Sequence, residues 1–139
     1  MKYLETDGGR KDAGYRGQGG DCVTRAIAIA TSMPYRRVRL ALTDLCVEMT
    51  GGMYKGVANG CPTPVAHKFL TQLGWEAVPA DMYINELPKN QRIFIACMTT
   101  KRHWAAVINN TVNDTWDSRY TRRTKNGWMK LDGYYRKAV

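Results

Sequence analysis

Three residue types that together activate a thiol occur in one order along this chain: Cys22 in GQGGDCVTRAIAIAT, His103 in HWAAVINN and Asp114 in TVNDTWD. A free thiol titrates near about 8.5 and is mostly protonated at neutral pH. A helix N-terminus and a neighbouring imidazolium both favour the thiolate. A carboxylate on the far side of the imidazole fixes its tautomer and stabilises its charged form. A thiolate so prepared attacks a carbonyl carbon to give an acyl intermediate, and the imidazolium protonates the leaving group. The developing oxyanion needs N–H donors, for which the Cys22 backbone N–H and the Gln18 side-chain amide are the candidates. The competing reading makes Cys22 a small buried residue of an alanine-rich helix and His103 a core histidine.

The elements around these residues must place them. Asp21 reads as the N-cap of a helix in which Val23, Ala26, Ile27 and Ala30 recur at helical spacing up to TSMP. Gly19 and Gly20 before it read as a tight turn. Asn109-Asn110 suits a two-residue type I′ hairpin, because Asn tolerates positive φ better than other residues with side chains. Pairing Ile108 with Thr111 then makes Asp114 the diagonal neighbour of His103, with Ala105 and Trp116 on the same face. A three-residue loop with a bulge would shift the register and set Asp117 opposite His103 instead. Both acids stay open at this point.

QGGDC opening a buried helix, HWAAVINN roughly 80 residues later and then DTW resemble the papain-like cysteine peptidase superfamily. DCVTRAIAIAT with HWAAVI and DTWDS is also similar to small papain-like proteins of bacteria and their viruses. The resemblance implies an α+β fold with N-terminal helices packed on a C-terminal antiparallel sheet. It implies Gln18 as oxyanion donor, Cys22 as nucleophile, His103 as base, Asp114 as orienting acid and Trp116 as its shield. The activity implied is a thiol hydrolase acting on a protein or peptide substrate at a peptide, isopeptide or amide bond. The same constellation serves acyl transfer when an amine replaces water. Three features differ from the larger enzymes: a shorter Gln-to-Cys spacing, Asp21 before the Cys, and an acid only eleven residues after His103.

At 139 residues the chain fits one domain. Residues 1–20, polar and with six glycines, read as a loop or arm, 21–74 as the helical part and 75–139 as the sheet. YRRVRLALTDLCVEM is a second helix with Val38, Leu42, Leu45 and Met49 as its apolar stripe, and TPVAHKFLTQLG a third with Thr63 as cap. WEAVPA, RIFIACM, both arms of HWAAVINNTVNDTWD and GWMKLDGYY read as strands. Arg25, a charge in a buried helix, requires a partner, either a carboxylate of the arm or a carbonyl.

Cys22, Cys46, Cys61 and Cys97 form no Cys-x-x-Cys pair, so neither disulfides nor a structural zinc are expected, and no cofactor is implied. No apolar run approaches the roughly 20 residues of a membrane span. The opening MKYLETDGGRKD lacks a hydrophobic signal region, which points to the cytoplasm, or the host cytoplasm for a phage-encoded chain. The net charge is +9, and residues 119–139 hold seven Lys or Arg against one Asp. Such a surface attracts an acidic host protein or nucleic acid, although no helix-turn-helix, zinc-finger or RNA-recognition signature is present. The alternative to catalysis is thus a virus- or plasmid-encoded papain-fold binding protein that uses its basic surface.

Overall fold

The computed structural model describes residues 1–17, 19–99 and 102–138. Helices α1 (Cys22–Thr31), α2 (Tyr35–Thr50) and α3 (Thr63–Gln72) precede most of a six-stranded sheet. Its strands are β1 (Lys2–Glu5), β2 (Trp75–Tyr83), β3 (Ile93–Met98), β4 (His103–Ile108), β5 (Thr111–Asp114) and β6 (Lys130–Lys137). They lie in the order β1-β5-β4-β3-β6-β2.

The α+β class agrees with the sequence, but the sheet is mixed rather than antiparallel. Residues 2–5, expected to be loop, form β1 and pair in parallel with β5, from Lys2 opposite Thr111 to Glu5 opposite Asp114. β1 buries little side-chain surface, so no hydrophobic period marks it. Main-chain bonds such as Lys2 N–H to the Asn110 carbonyl (3.0 Å) and Thr6 N–H to the Asp114 carbonyl (2.8 Å) hold it in place.

Alternate residues of β3 and β4 serve two cores, which is why both strands read as unbroken apolar runs. Ile95, Trp104 and Ala106 pack with Ile27, Leu42 and Leu70 of the helices. Phe94, Ala96, Ala105 and Val107 pack on the other side with Ile84, Leu87 and Met129 from connecting segments. In α1, seven of ten residues are buried, which leaves little freedom in how its first turn is presented. The α2 stripe stops a turn early: Val38, Leu42 and Leu45 are buried, whereas Met49 is 40% exposed because the helix runs past the core. Pro62, not Thr63, precedes the first turn of α3.

Asn109 and Asn110 have φ of 50° and 59°, the pair of left-handed residues that a type I′ turn requires. Ile108 pairs with Thr111, Val107 with Val112 and Ala106 with Asn113, with no bulge. Asn109→Ile should therefore lower stability by about 1–2 kcal/mol, read as a lower denaturation midpoint, since a β-branched side chain opposes left-handed φ.

Candidate active site

The approach to α1 depends on two glycines for a reason the sequence did not show. Neither Gly19 nor Gly20 has positive φ. Instead, a Cβ on Gly19 would lie 2.9 Å from the Ala58 carbonyl oxygen and one on Gly20 3.2 Å from that of Asn59. The backbones approach closely here, and the expected tight turn is not the cause.

Asp21 precedes α1 but its side chain caps nothing, contrary to the sequence reading. The carboxylate is buried, 1% exposed. It accepts hydrogen bonds from the Tyr35 hydroxyl (2.6 Å) and from Arg25 Nη1, and it pairs with Arg10 Nη1 at 2.9 Å. Two guanidinium groups and a phenol bind a carboxylate more strongly than the helix amides do. Arg25 thus finds its partner one turn back rather than in the arm, and its Nη2 also lies 3.7 Å from Asp114 Oδ1.

Cys22 is the first residue of α1, where main-chain N–H groups lack intrahelical acceptors. The His103 side chain and the Trp104 backbone N–H both act on its sulfur in the sense that favours the thiolate. His103 Nε2 lies 2.6 Å from Asp114 Oδ2. That leaves Nδ1 as the ring nitrogen able to exchange a proton with the thiol. Burial raises the Cys22 pKa, but the His103 side chain, the Trp104 N–H and the charges of His103 and Arg25 outweigh it, so the net shift is downward. Burial opposes a charged imidazole, yet Asp114 and Cys22 overcome it and raise His103 to about 9. Asp114, penalised by burial, is nonetheless held below the ordinary carboxylate range by His103, Ser118 and the Thr115 N–H. The charges favour a thiolate beside an imidazolium.

The other expectations sort clearly. Trp116 packs against the imidazole, with ring centroids 4.9 Å apart. Asp117, the alternative acid, is not the partner of His103: both its oxygens bind Arg119, at 2.9 and 2.8 Å, because the two-residue turn gives the register that selects Asp114. Gln18 lies outside the described residues. Ser118, buried, donates to Asp114 Oδ2 at 2.7 Å and was missed; its only trace in the sequence is the run DTWDS. In the basic segment, Arg119, Lys130 and Arg136 pair with Asp117, Asp81 and Glu76. Replacing Asp114 by Asn should lower the His103 pKa from about 9, read by NMR titration, because the imidazole loses the carboxylate that favours its charged form.

A cleft of about 2130 Å³ opens over Cys22, His103 and Trp116. Cys61 and Cys97 line it too. Burial pushes Cys61 up to about 12 and Cys97 up as well, while Cys46 is fully buried in the core. Limiting iodoacetamide at pH 7 should therefore alkylate Cys22 at least about 10²-fold faster than the other thiols, read by peptide mass mapping, since the thiolate is the reactive species. Among the described residues no group of three His, Cys, Asp or Glu side chains is placed to hold a metal ion, and no helix is long and apolar enough to cross a membrane. No protein-family model, curated protein or solved structure matches this chain.

Proposed function

We propose that this chain is a papain-like thiol hydrolase that cleaves a peptide, isopeptide or amide bond through an acyl intermediate on Cys22. The observation that carries the reading is the 2.6 Å bond between His103 Nε2 and Asp114 Oδ2, with the same imidazole lining one cleft with a thiol at a helix N-terminus and lowering its pKa.

In this mechanism the thiolate of Cys22 attacks the substrate carbonyl carbon, and the negative charge that gathers on oxygen faces the main-chain N–H groups opening α1. The tetrahedral adduct collapses as the imidazolium of His103 gives its proton to the leaving amine. Water then attacks the thioester, His103 takes the water proton, and the thiolate departs. Asp114 stays ionised throughout, holding the ring and its charge. An amine replacing water gives acyl transfer, so adding amines to an acylated sample and measuring product partition separates the two outcomes.

Turnover requires a thiolate and an imidazolium together. As pH rises it should switch on with the loss of the Cys22 proton, below the usual thiol range, and switch off near about 9 as His103 loses its proton. Alkylation by iodoacetamide needs only the thiolate and should show only the first limb. The decisive test is exposure to a peptidyl vinyl sulfone followed by mass mapping. A single adduct on Cys22 supports the reading, and an unmodified Cys22 under conditions that label a known thiol enzyme sinks it.

A binding role without catalysis draws on Arg122, Arg123 and Lys125, which form no ion pair with any described carboxylate. It requires capture of an acidic partner or nucleic acid that survives Cys22→Ala and weakens steeply with salt.

A further inference from the structure

The cleft over Cys22 has a charge imbalance that the thiol chemistry does not use. Arg10 and Arg25 line it but share the buried Asp21. Asp7 lines it with its oxygens bound to the N–H groups of Gly9 (2.9 Å) and Lys11 (3.0 Å). Three further cations, Lys11, Arg16 and Arg102, line the cleft, are exposed, and form no ion pair with any described carboxylate. Against them stands Asp132. Lys11 and Arg16 lie on the segment that leads to Cys22, and Arg102 directly precedes His103, so the surplus charge belongs to the two chain segments that carry the reacting groups.

The size of the cleft limits what occupies it. Pockets for small molecules span roughly 300–1,000 Å³, and this cleft measures about 2130 Å³. At Asn59, Gly60, Cys61 and Pro62 it adjoins a second hollow that reaches Tyr54. An extended chain of several residues fits such a trough better than a metabolite does.

We propose that the substrate is an acidic polypeptide segment, with Asp or Glu side chains flanking the bond presented to Cys22 and meeting Lys11, Arg16 and Arg102. This rests on the thiol-hydrolase reading and adds its substrate class. Because the three cations are solvated, their main effect is to raise the rate of productive encounter, and salt screens it.

The test compares three peptidyl vinyl sulfones of equal length with acidic, neutral and basic residues around the electrophile. The rate constant for Cys22 modification is measured at several salt concentrations. At low salt the acidic probe should react at least about tenfold faster than the neutral one, and the basic probe slowest. The advantage should shrink with added sodium chloride. Lys11→Glu with Arg16→Glu, both in an exposed loop, should bring the acidic-to-neutral ratio close to one. Equal rates for all three probes, or a ratio that survives both high salt and the double substitution, overturns the proposal. So does an oligonucleotide of matched charge that protects Cys22 while the acidic probe gains nothing, which would assign the surface to nucleic acid. Iodoacetamide on the unaltered protein separates the two claims. If it modifies Cys22 but the probes show no charge preference, the substrate class is wrong; if it fails to modify Cys22, the thiol reading itself falls.

Discussion

Cys22→Ala should reduce turnover to background and leave an electrophilic acyl probe nothing to modify, with a stability change of only about 1 kcal/mol. The small stability cost follows from replacing one half-buried sulfur at the cleft wall, where little apolar contact is lost. The large activity cost follows because no other thiol near the cleft is poised to substitute: burial keeps Cys61 and Cys97 protonated. Cys22→Ser should fail equally, because a hydroxyl does not ionise beside this imidazole. A second readout distinguishes lost chemistry from a disturbed fold. Cys22 helps raise His103 to about 9, so its removal should lower the imidazole pKa, while Asp114 continues to oppose that fall. NMR titration of His103 in the variant measures this. Retained turnover in Cys22→Ala would remove the thiol from the mechanism.

Asp21→Ala should be the most destabilising single change near the site, costing about 3–5 kcal/mol as buried charges lose their partner. The side chains of Arg10 and Arg25 are only 11% and 10% exposed, and Tyr35 is buried, so none of the three can recover its lost bond by moving into solvent without unpacking. Against a total stability of roughly 5–15 kcal/mol for an ordinary domain, this is a large fraction. Asp21→Asn keeps an acceptor for the Tyr35 hydroxyl but not the charge, and should fall between wild type and Ala. Chemical denaturation of the three proteins checks the order. An Asp21→Ala midpoint equal to wild type would mean that the two guanidinium groups do not need the carboxylate.

The parts of this molecule visible in its sequence are those set by short-range rules. Asn109-Asn110 demands a particular turn, the turn dictates a register, and the register chooses Asp114 over Asp117. α1 and α2 announce themselves by apolar periodicity and by the residues that end them. The parts that were hidden depend on contacts between distant segments. Gly19 is required by the carbonyl of Ala58, which no local pattern reveals. Asp21 sits where a cap belongs, and only the arrival of Arg10 and Tyr35 turns its side chain inward. β1 is too short and too exposed to carry a period, and Ser118 becomes a partner of Asp114 only once the turn after β5 folds back.

The parallel pairing of β1 with β5 bears on when the molecule becomes competent during synthesis. Thr6 N–H binds the carbonyl of Asp114 itself, and Tyr3 donates its hydroxyl to the same oxygen, so one segment braces an acid made more than a hundred residues after it. Pairing across such a separation is entropically slow and waits for its template. Until residues 103–114 emerge, Cys22 has neither its imidazole nor the carboxylate behind it. A nascent chain therefore carries an ordinary, protonated thiol, and reactivity arrives late, with the sheet.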